Sequence, residues 1–267
     1  MSLGQLAMAA EGSARILTVS RGMEVLRAFR AERVPLTNAE LVRRTGLAKA
    51  TVSRLTTTLM QLGFLRHLPG SREFELAAGP LAIGNALVAS SALLKAAEAP
   101  LQELADRLGM GIALGVPEGD DMLYIAYRAS TRVVALRLGV GALLPMGTTA
   151  IGHAWLWALP PAQREARIAA LAAAAGERSG AVRQSIATSF DELESTGTCA
   201  VLGQFQRDAY GIALPVRIGR DRVLMGLNAG KADMQPDVAA EHRRVTPALR
   251  AAAAQLEQTL ANFDSRP

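Results

Sequence analysis

The pattern of apolar and polar residues is most regular in residues 36–64, where it predicts two short helices joined by a tight turn. Thr37 and Glu40 have the three-residue spacing of a capping box, in which each side chain hydrogen-bonds the backbone amide of the other. The first helix is therefore predicted over residues 38–44. Gly46 follows it, and glycine readily adopts the backbone conformation that a sharp turn between helices requires.

The second helix is predicted from about Lys49 to Gly63, a residue type typical of helix ends. One side of this helix is apolar, because four residues recur at spacings of three, four and three: Val52, Leu55, Leu59 and Leu62. The opposite side carries small or hydrogen-bonding residues and two cations: Lys49, Ala50, Ser53, Arg54 and Thr57. A face of this kind can lie close to the floor of a DNA groove. Thr51 is also assigned to the candidate DNA-binding residues.

Two short strands are predicted after this helix, in the segment FLRHLPGSREFEL, with a turn at residues 69–71. A preceding helix is predicted to begin at Ser20 as its N-cap and to complete a three-helix core. Together these elements describe a winged helix-turn-helix, and a plain helical hairpin in a core is the alternative. Arg21, Arg66 and Arg72 are candidate phosphate contacts, with solvated surface cations as the alternative for each.

Charge separates this N-terminal region from the rest of the 267-residue chain, whose formal net charge is +5. Residues 1–80 hold 11 Lys and Arg against 6 Asp and Glu, whereas residues 81–267 hold 18 of each. The whole positive excess therefore lies on the region that contains the candidate helix-turn-helix. A module that binds phosphate needs such a local positive field, so the sequence predicts double-stranded DNA as a partner.

An Ala- and Leu-rich helix with little charge is predicted over residues 81–99, after the helix-breaking pair Gly79-Pro80. Such a helix must bury more than one face. It can pack against the second half of its own chain, but as a connector leaving a basic domain we expect it to pack against a partner copy, in a homodimer or homotetramer. Pro100 is predicted to begin the next helix, which ends at Gly109.

Strand patterns dominate from residue 111 onward, as turn-bounded apolar runs at close spacing. We predict strands at 111–117, 122–128, 132–140, 199–202, 210–218 and 222–229. Helices are predicted at 148–159, 162–175 and 185–195, and a last one after Pro236. Helices grouped around an antiparallel sheet make this half an α+β domain of the ligand-sensing kind.

An enzyme is the main alternative class, and the sequence lacks the motifs that it would need. There is no G-x-S-x-G, H-E-x-x-H or Walker motif. His67, His153 and His242 are interpreted as structural or exposed, because a general base needs a nucleophile or substrate within hydrogen-bond reach. The single cysteine, Cys199, excludes an internal disulfide and fits a buried strand position in a reducing compartment. No zinc-ligand spacing is present, so no metal or other cofactor is predicted.

An anion site is predicted at the start of the 148–159 helix. Pro145 and Gly147 precede Thr148 and Thr149, so free helix amides and threonine hydroxyls open from the end of a loop. An ordinary capped helix is the alternative. The further lining expected is Ile151, Leu214 and Met225 as apolar groups, with Asn228 and Tyr210 as hydrogen-bonding groups. We therefore expect a ligand that has a carboxylate and an apolar or aromatic part. The alternative for Leu214 and Met225 is that they face the protein core.

The chain resembles the IclR family of bacterial transcription regulators over nearly its whole length. The resemblance is carried by SRGMEVLRAF, LTNAELVRRTGLAKATVSRLTTTLMQLGFL, LPMGTTAIGHA and YGIALPVRIGRDRVLMGLNAG, and by the apolar linker helix. It implies an N-terminal winged helix-turn-helix, a linker helix used in dimerisation and a C-terminal GAF-like effector domain with a curved antiparallel sheet. We accordingly predict a disordered tail at 1–14, the DNA-binding domain at 15–79, the linker at 80–97 and the effector domain at 98–267.

The resemblance also implies which residues line the effector pocket. The helix after LPM contributes Thr149, Ala150, Ile151 and Gly152, and the last two strands contribute Tyr210, Gly211, Asn228 and Gly230. Family members often have a cysteine and two serines at these strand positions, so this chain departs from them. Its loop at 202–208 has Gln204 and Gln206 in place of the usual acidic cluster. The ligand of another member therefore cannot be transferred to this chain.

The sequence as a whole predicts a cytoplasmic, effector-responsive DNA-binding regulator without a cofactor. The N-terminal 14 residues lack the basic and apolar regions of a signal peptide, and no apolar run has membrane-spanning length. An enzyme that uses its helix-turn-helix only for dimerisation is one rival. An architectural DNA binder without a ligand is another, and a second domain without a pocket would favour it.

Overall fold

The structure of the chain is a computed structural model that describes residues 17–29, 34–131, 138–233 and 235–264. Its contacts divide it into two compact units, one ending at Ala86 and the other beginning at Leu87. The predicted tail at 1–14 and most of the predicted strand at 132–140 lie outside the described residues.

The N-terminal unit is a three-helix core with a two-stranded wing, as predicted. Its elements are α1 (17–27), α2 (Asn38–Thr45), α3 (Lys49–Gln61), β1 (Leu65–His67) and β2 (Phe74–Leu76). The two strands pair antiparallel. Gly46 and Gly63 both have positive φ, of 68° and 74°, which explains why glycine stands where α2 and α3 end. The core of the unit is formed by Val25, Leu41, Val52, Leu65 and Phe74, among others.

Two helix-cap predictions in this unit are wrong in detail. Residues 17–19 are already helical, so Ser20 is not an N-cap, and its hydroxyl donates instead to Glu24. The amide of Glu40 does donate to Thr37 Oγ1, at 3.1 Å. The carboxylate of Glu40, however, pairs with Arg43 and Arg44 at 2.6 and 2.7 Å, because both cations lie one turn further along the helix.

The buried side of α3 also differs from the prediction at one position. The helix ends at Gln61, which leaves Leu62 outside it with 62% of its surface exposed. Thr56 is buried in its place, and its hydroxyl donates to the carbonyl of Ser53 at 3.0 Å. A threonine whose hydroxyl is satisfied by its own helix can face a core, which an apolar pattern does not reveal.

The predicted linker helix at 81–99 is broken into α4 (Gly79–Ser90) and α5 (Ala92–Leu108). The break lies at Ser91, because its hydroxyl accepts from the amide of Leu94 at 3.2 Å and so caps α5. Pro100 does not begin a helix but lies inside α5. No single helix in the described ranges is long and apolar enough to cross a membrane, and α4 and α5 reach that composition only when taken together.

The C-terminal unit is built on one antiparallel sheet of six strands in the order β5-β4-β3-β8-β7-β6. The strands are β3 (Gly111–Glu118), β4 (Asp121–Ala129), β5 (Leu143–Pro145), β6 (Cys199–Leu202), β7 (Ala209–Ile218) and β8 (Val223–Ala232). The helices are α6 (Ala150–Trp157), α7 (Pro161–Ala174), α8 (Ser179–Thr196) and α9 (Val238–Thr259). The predicted α+β class is confirmed, and the short β5 is an addition to the predicted elements.

Both faces of this sheet are covered by helices, which gives the unit two cores. On β7, Ile212, Leu214 and Val216 face the core shared with α5 and α9. The alternating residues face the other way, and Ala213 packs in the core shared with α6, α7 and α8. Successive side chains of a strand point to opposite faces, so this alternation decides which residues can reach a site beside α6.

Candidate functional site

The exposed side of α3 is the candidate DNA-contacting surface. All five residues predicted on it are solvent-exposed: Lys49, Ala50, Ser53, Arg54 and Thr57. Thr51 is half-buried at the edge of this surface. The helix contains no acidic residue, so its positive side chains have no carboxylate on their own helix to neutralise them. Such a surface suits the approach of a phosphate backbone.

The three arginines predicted outside α3 lie in different environments. Arg21 on α1 and Arg54 on α3 line one surface depression, so two cations converge there. Arg66 is directly opposite Glu75 in the wing and pairs with it at 2.8 Å, which neutralises its charge locally. Arg72 is exposed in the turn of the wing. A surface ion pair contributes little, so Arg66 can exchange Glu75 for a phosphate at small cost.

A cavity that is partly open to solvent lies on the α6 side of the sheet. It is lined by eight of the predicted effector-binding residues: Thr148, Thr149, Ala150, Ile151, Tyr210, Gly211, Asn228 and Gly230. Gly152 does not line it. A Cβ on Gly152 would lie 2.1 Å from the carbonyl oxygen of Met146, so this glycine lets α6 pack against the preceding turn. The structure thus brings the predicted helix and strand residues together at one place.

Residues that the sequence reasoning missed complete the lining. From the middle of the chain come Tyr124 on β4, Leu138 before β5 and Leu144 on β5. Further lining residues are Val201 on β6, Gly203, Gln204 and Phe205 in the loop after it, and Ala209 at the start of β7. Tyr124 could have been found, because period-two alternation places it on the same side of β4 as Met122. The loop residues carry no such signal, since their position depends on how β6 and β7 pair.

The start of α6 lies at the wall of this cavity and has no side-chain cap. The hydroxyl of Thr149 does not cap the helix but donates to the carbonyl of Pro145 at 2.8 Å. No capping side chain therefore accepts a hydrogen bond from the first amides of α6. Among the described lining residues there is no Lys, Arg, Asp or Glu, so the helix end supplies the local electrostatic field.

Two polar side chains form a bonded pair in the wall of the cavity. Nδ2 of Asn228 donates to Tyr124 Oη at 3.1 Å, and the exposed fractions of the two residues are only 7% and 2%. Burial raises the pKa of Tyr124, so its hydroxyl stays protonated and retains a proton to donate. Oδ1 of Asn228 lies 2.9 Å from the place that a Cβ on Gly211 would occupy.

Three predictions about the lining are corrected by strand alternation. The side chains of Leu214 and Met225 pack in the core with α5 and α9, on the opposite side of the sheet from the cavity. Tyr210 also packs there, and its hydroxyl donates to Glu241 on α9 at 2.7 Å. The hydrogen bonds of Arg244 lower the pKa of Glu241 to about 2, which keeps this acceptor charged. Tyr210 therefore lines the cavity without offering its hydroxyl.

His153 and Cys199 are both buried, as was predicted for Cys199. Nε2 of His153 lies 3.0 Å from the carbonyl of Gly147, so Nε2 carries the proton and donates. Nδ1 then accepts from Ser189 Oγ at 2.8 Å. Burial lowers the pKa of His153 to about 4, which matches this neutral form. Cys199 is fully buried and its thiol points to the carbonyl of Ala150. Within the described ranges, no cluster of His, Cys, Asp or Glu has the geometry of a metal site.

Both halves of the chain match models of known protein families. Residues 18–69 match the family model described as the IclR helix-turn-helix domain, and residues 85–258 match that of the IclR C-terminal domain of bacterial transcriptional regulators. A similar protein is the HTH-type transcriptional regulator TsaQ1/TsaQ2 of Comamonas testosteroni, 29% identical over 84% of this chain and 82% of its own length. The Pca regulon regulatory protein of Pseudomonas putida is 30% identical over 79% of this chain and 72% of its own length.

Solved structures agree in fold. An IclR family transcriptional regulator from Brucella abortus superimposes with a TM-score of 0.80 at 27% identity, covering 91% of this chain and 92% of that one. An IclR homologue from Microbacterium hydrocarbonoxydans, solved in complex with 4-hydroxybenzoate, has a TM-score of 0.61 at 21% identity over 91% of this chain and 98% of its own. The matched family consists of transcription regulators rather than enzymes. The chain therefore belongs to the IclR family of bacterial transcription regulators, in which a DNA-binding helix-turn-helix domain is joined to an effector domain.

Proposed function

We propose that this chain is a dimeric regulator that reads an operator with α3 and responds to a small organic acid bound in the cavity beside α6. The functional division that we propose is 15–79 for the DNA-binding domain, 80–97 for the linker and 98–267 for the effector domain. The observation that carries the ligand assignment is the uncapped start of α6 at the wall of a cavity without charged lining residues. As a regulator of transcription it would act in the cytoplasm, where its DNA lies.

The ligand chemistry follows from the two parts of the cavity. At one end the first amides of α6, which no side chain caps, and the helix dipole favour a negative group, by up to roughly 2 kcal/mol when the site is partly buried. Elsewhere the lining includes Ile151, Leu144 and Val201, which suit an apolar or aromatic body. A carboxylate with an apolar or aromatic part satisfies both ends, and the relative of the same fold that holds 4-hydroxybenzoate has a ligand of this description.

The DNA-reading role rests on the exposed face of α3. Its small side chains allow the helix to approach base edges, while Lys49, Arg54 and Arg21 can contact phosphate or bases. Arg66 and Arg72 on the wing are proposed to contact the backbone or the minor groove. In a dimer the two α3 helices would contact half-sites about 34 to 36 Å apart, or at a multiple of that distance.

The dimer is proposed from the exposed apolar side chains of α4. None of its residues is buried, and Leu81, Ile83 and Leu87 are 74%, 62% and 46% exposed. Covering these exposed apolar side chains lowers the free energy. A second copy of the same helix offers a matching apolar surface for this. A homotetramer would be two such dimers.

Matched ligand pairs test the ligand assignment. Calorimetry on the full chain compares small aromatic and aliphatic carboxylates with their neutral amides, for example benzoate with benzamide. Because the helix amides favour a negative charge, each acid that binds is expected to bind about 10-fold more tightly than its amide. Equal binding of acid and amide would remove the helix end as the anion site. No binding of any small acid would favour the ligand-free architectural alternative, against which the presence of a cavity already weighs.

A further inference from the structure

The side-chain oxygen of Asn228 has no hydrogen-bond partner in the part of the chain that the structure describes. Asn228 lies on β8 and is only 7% exposed. Its Nδ2 donates to Tyr124 Oη, whereas no donor of a described residue reaches Oδ1. An amide oxygen that is withdrawn from water without a donor costs free energy, so most such groups in proteins are satisfied. Oδ1 is therefore a point at which a bound molecule can gain a hydrogen bond.

This oxygen can be reached from the cavity beside α6. Asn228 lines that cavity, and it is directly opposite two alanines, Ala113 on β3 and Ala213 on β7. Both alanines pack in the core shared with α6, so Asn228 also points to that side of the sheet. Among the described side chains, Oδ1 of Asn228 is not one of the atoms that are sealed from solvent without a partner. A ligand atom in the cavity can consequently approach it.

The bond to Tyr124 orients the amide of Asn228. Tyr124 lies on β4, so Nδ2 is turned towards that side of β8. The oxygen is turned the other way, towards β7, and lies 2.9 Å from the place that a Cβ on Gly211 would occupy. The amide therefore presents an acceptor, and not a donor, on the side of Gly211.

The start of α6 lies beside this acceptor. The same point above Gly211 is 3.6 Å from the Cβ of Ala150, the first residue of α6. Oδ1 of Asn228 and the first turn of α6 are thus neighbours across one glycine. A carboxylate bound at the start of α6 would place the carbon next to it, rather than a remote part of the ligand, near Oδ1.

The chemistry of the lining selects the kind of donor. An ammonium group could also donate to Oδ1, but it would carry a positive charge into the cavity. No Asp or Glu is found among the described lining residues, so that charge would have no carboxylate to compensate it. A hydroxyl group donates without a charge. The favoured donor is therefore a hydroxyl on the carbon next to the carboxylate.

We propose that Asn228 is a specificity-determining residue of the effector cavity, whose side-chain oxygen accepts a hydrogen bond from a hydroxyl on the carbon next to the effector's carboxylate. The effector class is then a small 2-hydroxycarboxylic acid with an apolar remainder. This inference rests on the proposed function, because it takes the start of α6 as the site of the carboxylate.

Calorimetry on the full chain with two series of acids tests the inference. One series is propanoate, lactate and 2-methoxypropanoate, and the other is the same three acids with a phenyl group on the terminal carbon. In at least one series, one enantiomer of the hydroxy acid is expected to bind about 3- to 10-fold more tightly than the acid without a hydroxyl, the range of one net hydrogen bond. The methoxy acid keeps the oxygen but has no proton to donate, so it should lack this gain.

A variant removes the acceptor. Asn228→Leu keeps a side chain of similar size, and the gain of the hydroxy acid is expected to disappear. The acid without a hydroxyl should bind the variant at least as tightly as the parent, because it no longer displaces water from an amide oxygen that it cannot satisfy. Asn262→Leu is the matched control, since it makes the same substitution in an exposed turn after α9, and it should retain the gain.

The outcomes separate this inference from the proposed function. If acids bind more tightly than their amides but the hydroxyl adds nothing, Asn228 is not the specificity residue and the anion site stands. The same conclusion follows if the methoxy acid or both enantiomers share the gain equally, or if the gain survives in Asn228→Leu. The first comparisons use the parent chain and hold even if that variant does not fold. If none of these acids binds the parent, both the inference and the proposed ligand class are wrong.

Discussion

The side-chain amide of Asn228 on β8 donates to the hydroxyl of Tyr124 on β4, at 3.1 Å, above the strand that separates them. The bond is possible because β3 carries small residues beneath it. Ala113 is directly opposite Asn228, and Gly115 is directly opposite Tyr124. Two buried polar groups from non-adjacent strands thus satisfy each other in the wall of the cavity, and each depends on the other.

A double-mutant cycle should reveal this dependence. Asn228→Ala and Tyr124→Phe each leave a buried polar group without its partner, so each is expected to lower the free energy of unfolding by about 1 to 3 kcal/mol. The double variant should lose about 1 kcal/mol less than the sum of the two, because no orphaned group remains. Urea unfolding of the four proteins measures this, and additive losses would show that the pair is not coupled.

The second prediction concerns the effect of His153 on the pH dependence of stability. The folded protein holds this histidine neutral, with its pKa lowered to about 4 by burial, whereas in the unfolded chain the pKa is near 6.5. Above about pH 6.5 neither state is protonated, and the full stability is present. As the pH falls from about 6.5 to 4, only the unfolded chain takes up the proton, so stability is lost, by about 3 kcal/mol in total.

The measurement is the urea midpoint of the parent and of His153→Gln between pH 7.5 and pH 4. Other groups titrate in both proteins, so the difference between the two curves isolates the histidine. The variant is expected to be less stable than the parent at pH 7.5, since it disturbs the bonds to Gly147 and Ser189, and that deficit should shrink as the pH falls. A constant deficit across the range would contradict the neutral, buried histidine.

Much of this architecture could be predicted from periodicity and caps, and the errors have physical causes. The helix-turn-helix was predictable because Thr37, Gly46 and Gly63 act locally, on their own helix ends. The break at Ser91 was missed because a serine in an Ala-rich run is an ordinary helix residue unless its hydroxyl caps, which sequence does not show. Pro100 was taken as the break instead, although the helix continues through it.

The cavity was predictable in its position and less so in its lining. Period-two alternation indicates which residues of β7 and β8 share a face. It does not indicate which face borders the cavity, because both faces of this sheet are apolar and covered by helices. Leu214 and Met225 were therefore assigned to the wrong face. The cavity side is marked by small residues, Gly226 and Gly230, and a Cβ on Gly226 would lie 2.4 Å from the side chain of Ile151. Close packing of α6 explains the first, and the second lines the cavity.

The next prediction concerns α3 and its two exposed cations. Arg54→Ala is expected to weaken binding to a duplex selected in vitro by about 1 to 3 kcal/mol if Arg54 contacts a base, and to relax sequence preference. Lys49→Ala is expected to weaken binding more evenly across sequences and to reduce the salt dependence by about one ion if it contacts phosphate. Fluorescence anisotropy at several salt concentrations distinguishes the two roles.

A matched control for these variants is Arg183→Ala, which removes an exposed arginine from α8 in the other unit. Its DNA affinity should stay close to that of the parent. All three proteins should melt like the parent, because the residues are exposed. DNA binding that is unchanged in both α3 variants would contradict the assignment of α3 as the recognition helix, and large losses of thermal stability would place these residues in the core instead.

The last prediction concerns assembly through α4. Leu81→Glu and Ile83→Glu place a charge on side chains that are 74% and 62% exposed in the single chain, so they should not disturb its folding. If α4 packs against its copy, burying these carboxylates without a partner is costly, and the double variant is expected to be monomeric at micromolar concentration while the parent is a dimer or larger. Light scattering coupled to size-exclusion chromatography measures the masses, and Leu202→Glu, at another exposed leucine, should keep the parent mass. A monomeric parent, or a double variant that assembles like the parent, would show that α4 is not the dimer contact, and the spacing of operator half-sites would then have to be set by another surface.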